Sequence, residues 1–527
     1  MVEKLENILK GITEKYESEK DSIKFVAFVV MLMSFAAYTI YICFAYTLPD
    51  GLLEGLFYYH SQDWHLACGR WAVRYFLYIF GHNVVMPQLV IFGYAVCIAA
   101  SVLIIKGMFK FESKIDLFLL SAFFMVTPAV IRQILYPHIA VTYAVSFLLA
   151  VLAVRFCWNG KVAGCIGGIV CVTLLMGLYQ SYIGAATVLV VIVAIVEILD
   201  GKDVLSVILK SLKCALVVVV GSLINIGIYT KCMEYYGIGA SERVAEFSVA
   251  GIFTNLPVSF KDSYLYFINY FNDEMLNRNY LYIILTVIFV FGLLVALYQF
   301  IRENGIASVY KVAVILVLVG LVPFAMNIVH ILIPYSKVSL LMQYHYVLIL
   351  PLIIALLRRT KINYIFIQPV VALIVAMITF TYVISANATN QSLRASYMAN
   401  QTQVNLILSD VYELEGFIPN ATDIVFGGFP SEAASRFGLE IYEYAIGLNS
   451  KNQAFWDGNV GVTLSRMHYL LNYCGIDAGY LTDDDYYDTV ATQEFEEMPI
   501  WPAEGSVKMI NGRAAVKLSY DYPRREE

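Results

Sequence analysis

VAGCIGGIVCVTLLMGLYQSYIGAATVLVVIVAIVEIL, residues 162–199, decides the fold. Its one charged residue is Glu197, close to the end, and a helix needs only about 20 apolar residues to cross a hydrocarbon core of about 30 Å. The stretch has room for two such helices, 162–179 and 182–199, separated by the polar tips of Tyr179, Gln180, Ser181 and Tyr182. Comparable runs lie on both sides, near 25–47, 87–106, 117–134, 139–157, 212–230, 279–301, 311–334, 344–358 and 363–386, about eleven in all. The chain is 60% hydrophobic and 14% charged, with mean hydropathy +0.69, where soluble domains carry about 25% charged residues. The reading is an all-α polytopic membrane protein of about 11 transmembrane helices.

Charge divides the chain. Residues 387–527, after the last run, carry a net −11, and the remainder carries +5. DIVFGGF in this tail reads as a strand, and VKMINGRAAVKL as a hairpin turning at Asn511-Gly512. The tail is therefore expected to be a soluble α+β domain. The first 24 residues place Val2, Leu5, Ile8, Leu9 and Ile12 at helical spacing, which suits an amphipathic segment on the membrane, and they show no cleavable secretory pattern. Orientation follows lysine and arginine in short loops. With the N-terminus inside, the inner segments hold Lys4, Lys10, Lys15, Lys20, Lys24, Lys110, Lys114, Lys161, Lys202, Lys210, Arg302, Arg358, Arg359 and Lys361. An odd number of crossings then puts the tail outside. The expected layout is 1–24 cytoplasmic, 25–386 membrane domain with an outside loop 48–86, and 387–527 extracytoplasmic. The nine cysteines form no C-x-x-C pair and read mainly as small buried hydrophobes.

Charge in mid-membrane marks transport pathways, and these runs carry almost none. Polarity gathers instead at the outer interface, foremost in HSQDWHLACGRWAVRYF, His60–Phe76. As one helix over 63–80, this segment aligns Asp63, Ala67, Arg70 and Arg74 in a polar stripe. Trp64, Trp71, Phe76 and Phe80 then supply interfacial rings. A carboxylate beside guanidinium groups, which bind phosphate as a fork, is equipment for moving a sugar from a lipid phosphate.

An outside acid after the first run (Asp50 in LPDG), the later Gly69-Arg70-Trp71, and many following spans are similar to the membrane GT-C glycosyltransferases. Most closely the chain resembles the bacterial type II glucosyltransferases of O-antigen type, which MGLYQSYIG (176–184) and PAEGSVKMINGRAAVKLS (502–519) also resemble. The resemblance implies a polyprenyl-phosphate hexose donor, with glucose as the hexose, presented at the outer leaflet of a bacterial cytoplasmic membrane. It implies a cell-surface polysaccharide or glycopolymer acceptor, membrane lipid as surroundings, and a synthase and a flippase that supply the donor. Nucleic acid has no place in it. No tightly bound cofactor is implied, the lipid-linked sugar being the co-substrate, while a divalent metal stays an open alternative. It also implies a carboxylate base on the first outside loop, where many GT-C enzymes have two adjacent acids. Here Asp50 stands alone, with Glu54 four residues on.

The expected roles follow. Asp50 ranks first as the base that draws the proton from the acceptor hydroxyl, and Asp63 second. Arg70, Arg74 and Arg132 are the candidates for the departing phosphate. Glu54, Trp71, Tyr136, His138, Tyr179, Gln180, Tyr182, Gln343 and His345 are candidates for holding substrate, against the competing reading of the aromatic ones as an interfacial belt. DAGYLTDDDYYD (477–488) lacks calcium-loop spacing and reads as a solvated acidic loop. A polysaccharide polymerase or flippase, and then a transporter, are the alternative functions.

Overall fold

The computed structural model describes residues 2–44, 62–81, 86–241, 249–272, 281–305, 308–332, 338–360, 364–428 and 481–525. Helices dominate: α1 (Val2–Phe44), α2 (Gln62–Ala67), α3 (Trp71–Gly81), α4 (Pro87–Phe109), α5 (Lys114–Val126), α6 (Pro128–Ile134), α7 (Ala140–Trp158) and α8 (Val162–Tyr179). They continue with α9 (Ile183–Leu199), α10 (Val204–Tyr236), α11 (Val249–Asn272), α12 (Leu281–Asn304), α13 (Val309–Met326), α14 (Ile349–Arg359) and α15 (Tyr364–Tyr412). Local chemistry sets their ends. Pro87 opens α4, and Lys110 closes it in the left-handed region; Ser113 caps α5 and Asp203 caps α10. Pro128 lacks an N–H to continue the ladder, and the chain bends there by 44° between α5 and α6.

Among the described residues, eight apolar segments are long enough to cross a membrane, or nine if the bent α5–α6 pair is one. In that count residues 162–199 figure once, as 38 residues. The run at 344–358 is absent from it, because a 3-10 turn at Tyr344–Leu348 leaves α14 only 11 residues. The 38-residue segment is nevertheless not straight. Trp158, just before α8, donates its indole N–H to Glu197 at the end of α9, at 2.9 Å, so the two ends of the segment lie together. The reversal falls at the 3-10 turn Gln180–Tyr182, entered through an extended Tyr179.

One end of the bundle is a layer of ion pairs. Lys106 meets Glu19, and Lys210 meets Glu197 at 2.8 Å. Arg359 forks onto Asp200 at 2.6 and 2.8 Å. Arg358 reaches the fully buried Asp116 at 3.2 Å, where Gln368 also donates at 2.9 Å. A buried carboxylate is costly unless paired and hydrogen-bonded, so this set binds α5, α14 and α15 together. The core above it is continuous, including Tyr38, Tyr94, Phe124, Phe147, Tyr182 and Tyr344. Leu216, Val219 and Leu223 on α10 face outward, as suits helices whose solvent is lipid.

α15 runs 49 residues without a break, roughly 73 Å at 1.5 Å per residue. Beyond the bundle, its Val404, Ile407, Leu408 and Val411 pack on a three-stranded sheet of β1 (Ile424–Gly427), β2 (Val507–Ile510) and β3 (Arg513–Lys517), in order β1-β3-β2. β1 is parallel and β2 antiparallel to β3. The strand and hairpin expected here are present, with Asn511 at φ 50° and Gly512 at φ 75°. The acidic stretch is not a loop throughout: Asp483–Val490 is helix α16, because Thr482 and Asp485 form a capping box and acids suit a helix N-terminus.

Candidate active site

At the end of the bundle opposite the ion-pair layer, two segments singled out in the sequence pack against each other. The expected single helix over 63–80 is two, α2 and α3, broken where Gly69 takes φ 80°. Cys68, Gly69 and Arg70 turn back on Trp64, Leu66 and His65 through backbone bonds of 3.0, 2.8 and 2.8 Å. Gln180 explains the break: its side-chain amide donates to the Cys68 carbonyl at 2.9 Å and would lie 2.6 Å from any Cβ at position 69. Next, the Arg70 guanidinium lies over the Tyr179 ring, 4.5 Å from its centre. Trp71 donates to Asn225 at 2.8 Å and lies so close to Gly177 that a Cβ there would fall 2.6 Å from the indole. Gly69-Arg70-Trp71 and Met176–Gly184 therefore form one unit, residue against residue.

Charge in this unit is unevenly neutralised. Asp63, its side chain 73% exposed, lies 3.7 Å from Arg74, whose guanidinium stacks 4.1 Å from the Tyr236 ring. Arg132 donates to the Tyr136 hydroxyl at 3.3 Å. Arg70 has no ion-pair partner among the described residues, and its buried Nε has no hydrogen-bond partner. Beneath these arginines, the buried His65 and His138 rings are 6.3 Å apart, with Tyr136 edge-on to His138. Burial holds the His138 pKa down at about 3. Burial, then the charge of Arg70, then His138 lower that of His65. Both rings are neutral near pH 7, which leaves the arginines as the positive charge of this face.

Deeper in, Gln133 is a hub: it accepts from Tyr94 and donates to Tyr182 at 2.5 Å and to the Leu341 carbonyl at 2.7 Å. Tyr143 meets Tyr179 edge-on at 4.7 Å, and Tyr182 approaches His345 at 6.4 Å. His345 bonds the Met326 carbonyl at 2.6 Å, beside Gly184, where a Cβ would fall 2.3 Å from that same oxygen. Gln343 is buried at the start of this turn.

Of the expected site residues, Arg70 meets Tyr179, Gln180 holds the Cys68 carbonyl beside them, and Trp71 packs on Gly177 of the same segment. Asp63 and Arg74 adjoin them, and Arg132, Tyr136 and His138 adjoin through His65. Tyr182, Gln343 and His345 form the floor behind. Asp50 and Glu54 lie outside the described residues. Trp71 is half-buried, with its indole N–H held by Asn225, while Trp64 is exposed. Sequence reasoning missed Gln133, Asn225, Tyr143 and Tyr236. For Gln133 and Asn225 a signal existed, an amide inside an apolar run; for the two tyrosines, among 39 in the chain, there was none.

A multi-pass helical membrane protein with cationic and aromatic side chains gathered at one end of its bundle is the class that fold and site define. A family model described as Glucosyl transferase GtrII matches residues 54–356. The chain belongs to this family, so it is a membrane glycosyltransferase by descent, and the match takes in both packed motifs. No curated protein and no solved structure matches it.

Proposed function

We propose that this chain moves glucose from a polyprenyl-phosphate donor to a cell-surface polysaccharide or glycopolymer at the outer face of the cytoplasmic membrane. The observation that carries the reading is Arg70: a guanidinium seated on Tyr179 by two interlocking motifs, with no carboxylate to neutralise it among the described residues. In transfer, the acceptor hydroxyl attacks the anomeric carbon, the bond from that carbon to the phosphate oxygen breaks, and the lipid phosphate departs with added negative charge. Arg70, with Arg74 and Arg132 behind it, stabilises that charge more in the transition state than before it. The hydroxyl proton passes to a carboxylate. Asp63 is ion-paired with Arg74, so Asp50 takes that role and Asp63 orients Arg74.

The same reading gives eleven crossings. Contacts at the ion-pair layer join Glu19 of α1 and the starts or ends of α4, α5, α7, α9, α10 and α14. The alternation this implies counts α5–α6 as one crossing, α8 and α9 as two, and the 3-10 turn with α14 as one. The ion-pair layer is rich in lysine and arginine and takes the inner side. The tail and the Arg70 face are then outside.

Arg70→Ala in proteoliposomes supplied with polyprenyl-phosphate glucose is expected to lower kcat/KM by about 10²-fold or more, the usual worth of an oxyanion-type contact. Arg302→Ala, at the other end, should leave it unchanged. Arg70→Lys should rescue poorly, since an ammonium cannot fork onto phosphate or stack as a guanidinium does. Equal small losses at both arginines would remove the phosphate-clamp assignment.

A further inference from the structure

Beside the unit just described, an open groove of about 820 Å³ lies between α3 and the outer half of α10, lined by Tyr75 and by Ile224, Gly227, Ile228, Lys231, Tyr235 and their neighbours. These α10 positions recur at steps of three and four, so they share one helix face. That face is distinct from the one holding α2 and α3, where Asn225 binds Trp71 and Tyr229 reaches the Ala67 carbonyl at 3.3 Å. Nearer mid-bundle, Leu216, Val219 and Leu223 of α10 are exposed apolar residues as well. At its other end, Tyr75 and Tyr236 share a hydroxyl contact of 3.4 Å, and Arg74 stacks on Tyr236. Lys231 of the lining is matched by Glu234 at 2.6 Å, and Arg74, which faces the exposed Asp63 at 3.7 Å, stands beside this end of the groove with Arg70 one helical turn before it.

Gly227 is the second observation. A glycine inside a helix weakens it relative to alanine, and packing requires small residues where backbones approach closely. That holds at Gly221, where a Cβ would fall 2.7 Å from Val172, but not at Gly227, where a Cβ would meet nothing within 4 Å. Among the described residues no group uses the space that Gly227 leaves; it deepens the groove.

We infer that this groove seats the polyprenyl chain of a lipid phosphate whose headgroup lies at Arg74 and Arg70. The inference rests on the proposed donor class and adds the path by which the lipid reaches the arginines. An apolar trough open to the bilayer suits an isoprenoid chain, and two arginines at its outer end suit a phosphate.

The test uses the full chain in nanodiscs with a polyprenyl phosphate bearing a diazirine on its chain. Labelling is expected on residues 224–236 and on Tyr75, competed by unlabelled polyprenyl phosphate and not by the same amount of phosphatidylglycerol. Gly227→Phe fills the groove without a clash and should lower labelling, and raise KM for the lipid donor, by at least about tenfold at unchanged thermal stability. Labelling that phosphatidylglycerol displaces equally, or that Gly227→Phe leaves intact along with KM, would overturn the groove. If in that case Arg70→Ala still abolished transfer, the proposed reaction would stand and only the lipid path would fall; loss of transfer from the lipid donor in the unmutated chain would sink the reaction itself.

Discussion

In the proposed reaction Asp50 and Asp63 do separate work. Asp63 is exposed and ion-paired with Arg74, and such pairs at surfaces contribute little. Asp63→Asn should therefore cost transfer less than tenfold. Asp50→Asn keeps size while removing the proton acceptor, and should cost about 10² to 10⁴-fold; turnover measured with saturating donor distinguishes the two, and a reversed order would exchange their roles. His138 supports a prediction about pH. Its folded pKa of about 3 lies below the unfolded value near 6.5, so between those values the unfolded chain binds a proton that the folded chain does not. Stability is then complete above pH 6.5 and declines as pH falls toward 3. Carboxylates add their own acid loss, so the diagnostic is a difference: melting temperature should fall less steeply from pH 6.5 to 5 in His138→Gln than in the unmutated chain, and parallel curves would contradict the buried neutral imidazole. Much of this was legible in the sequence, because charge amid apolar runs stands out and singles out Asp63, Arg70, Arg74 and Arg132. Tyr143 and Tyr236 were not, since nothing local separates a tyrosine under an arginine from one in an interfacial belt.

Between elements, the governing contacts are glycine against side chain. Gly69 breaks the interfacial helix to admit Gln180, Gly177 admits Trp71, and Gly184 admits the Met326 carbonyl and His345. Gly177→Leu should push α3 off α8, costing about 1–3 kcal/mol of stability as overpacking does and lowering transfer at least tenfold. Gly320→Leu, where a Cβ meets nothing within 4 Å, should change neither. Thermal shift and a transfer assay on both variants decide it; equal tolerance would mean that the two motifs need not touch. The hairpin at Asn511-Gly512 was readable because its turn is written into two adjacent residues. The break between α2 and α3 was not, because a regular polar stripe across 63–74 outweighs one glycine until the residue facing it, Gln180 more than a hundred positions later, is known. Apolar run length pointed to membrane-spanning helices, of which eight or nine are long enough among the described residues, yet it could not show that 344–348 winds as a 3-10 turn or that 117–134 bends at Pro128.

Across the whole molecule, polarity is sorted to two ends. Ion pairs that neutralise one another close the ion-pair end, whereas at the opposite end Arg70 lies over the Tyr179 ring with no ion-pair partner among the described residues. α15 leaves the bundle there, and its Leu393 packs on Leu135 and Tyr136 before the helix continues into the sheet domain. That arrangement motivates the proposal that the chemistry happens on the side of the membrane that holds the sheet domain, using a sugar carried on a lipid phosphate. Sidedness of transfer tests it most directly. Proteoliposomes sorted for one orientation by a tag on the tail, loaded with polyprenyl-phosphate glucose, are given a membrane-impermeant glycan acceptor either inside or outside. Glucosylated acceptor should form only in the compartment that holds the tail. Product in the compartment facing Lys210, Arg358 and Arg359, or transfer that proceeds from a nucleotide sugar and not from the lipid donor, would contradict the account.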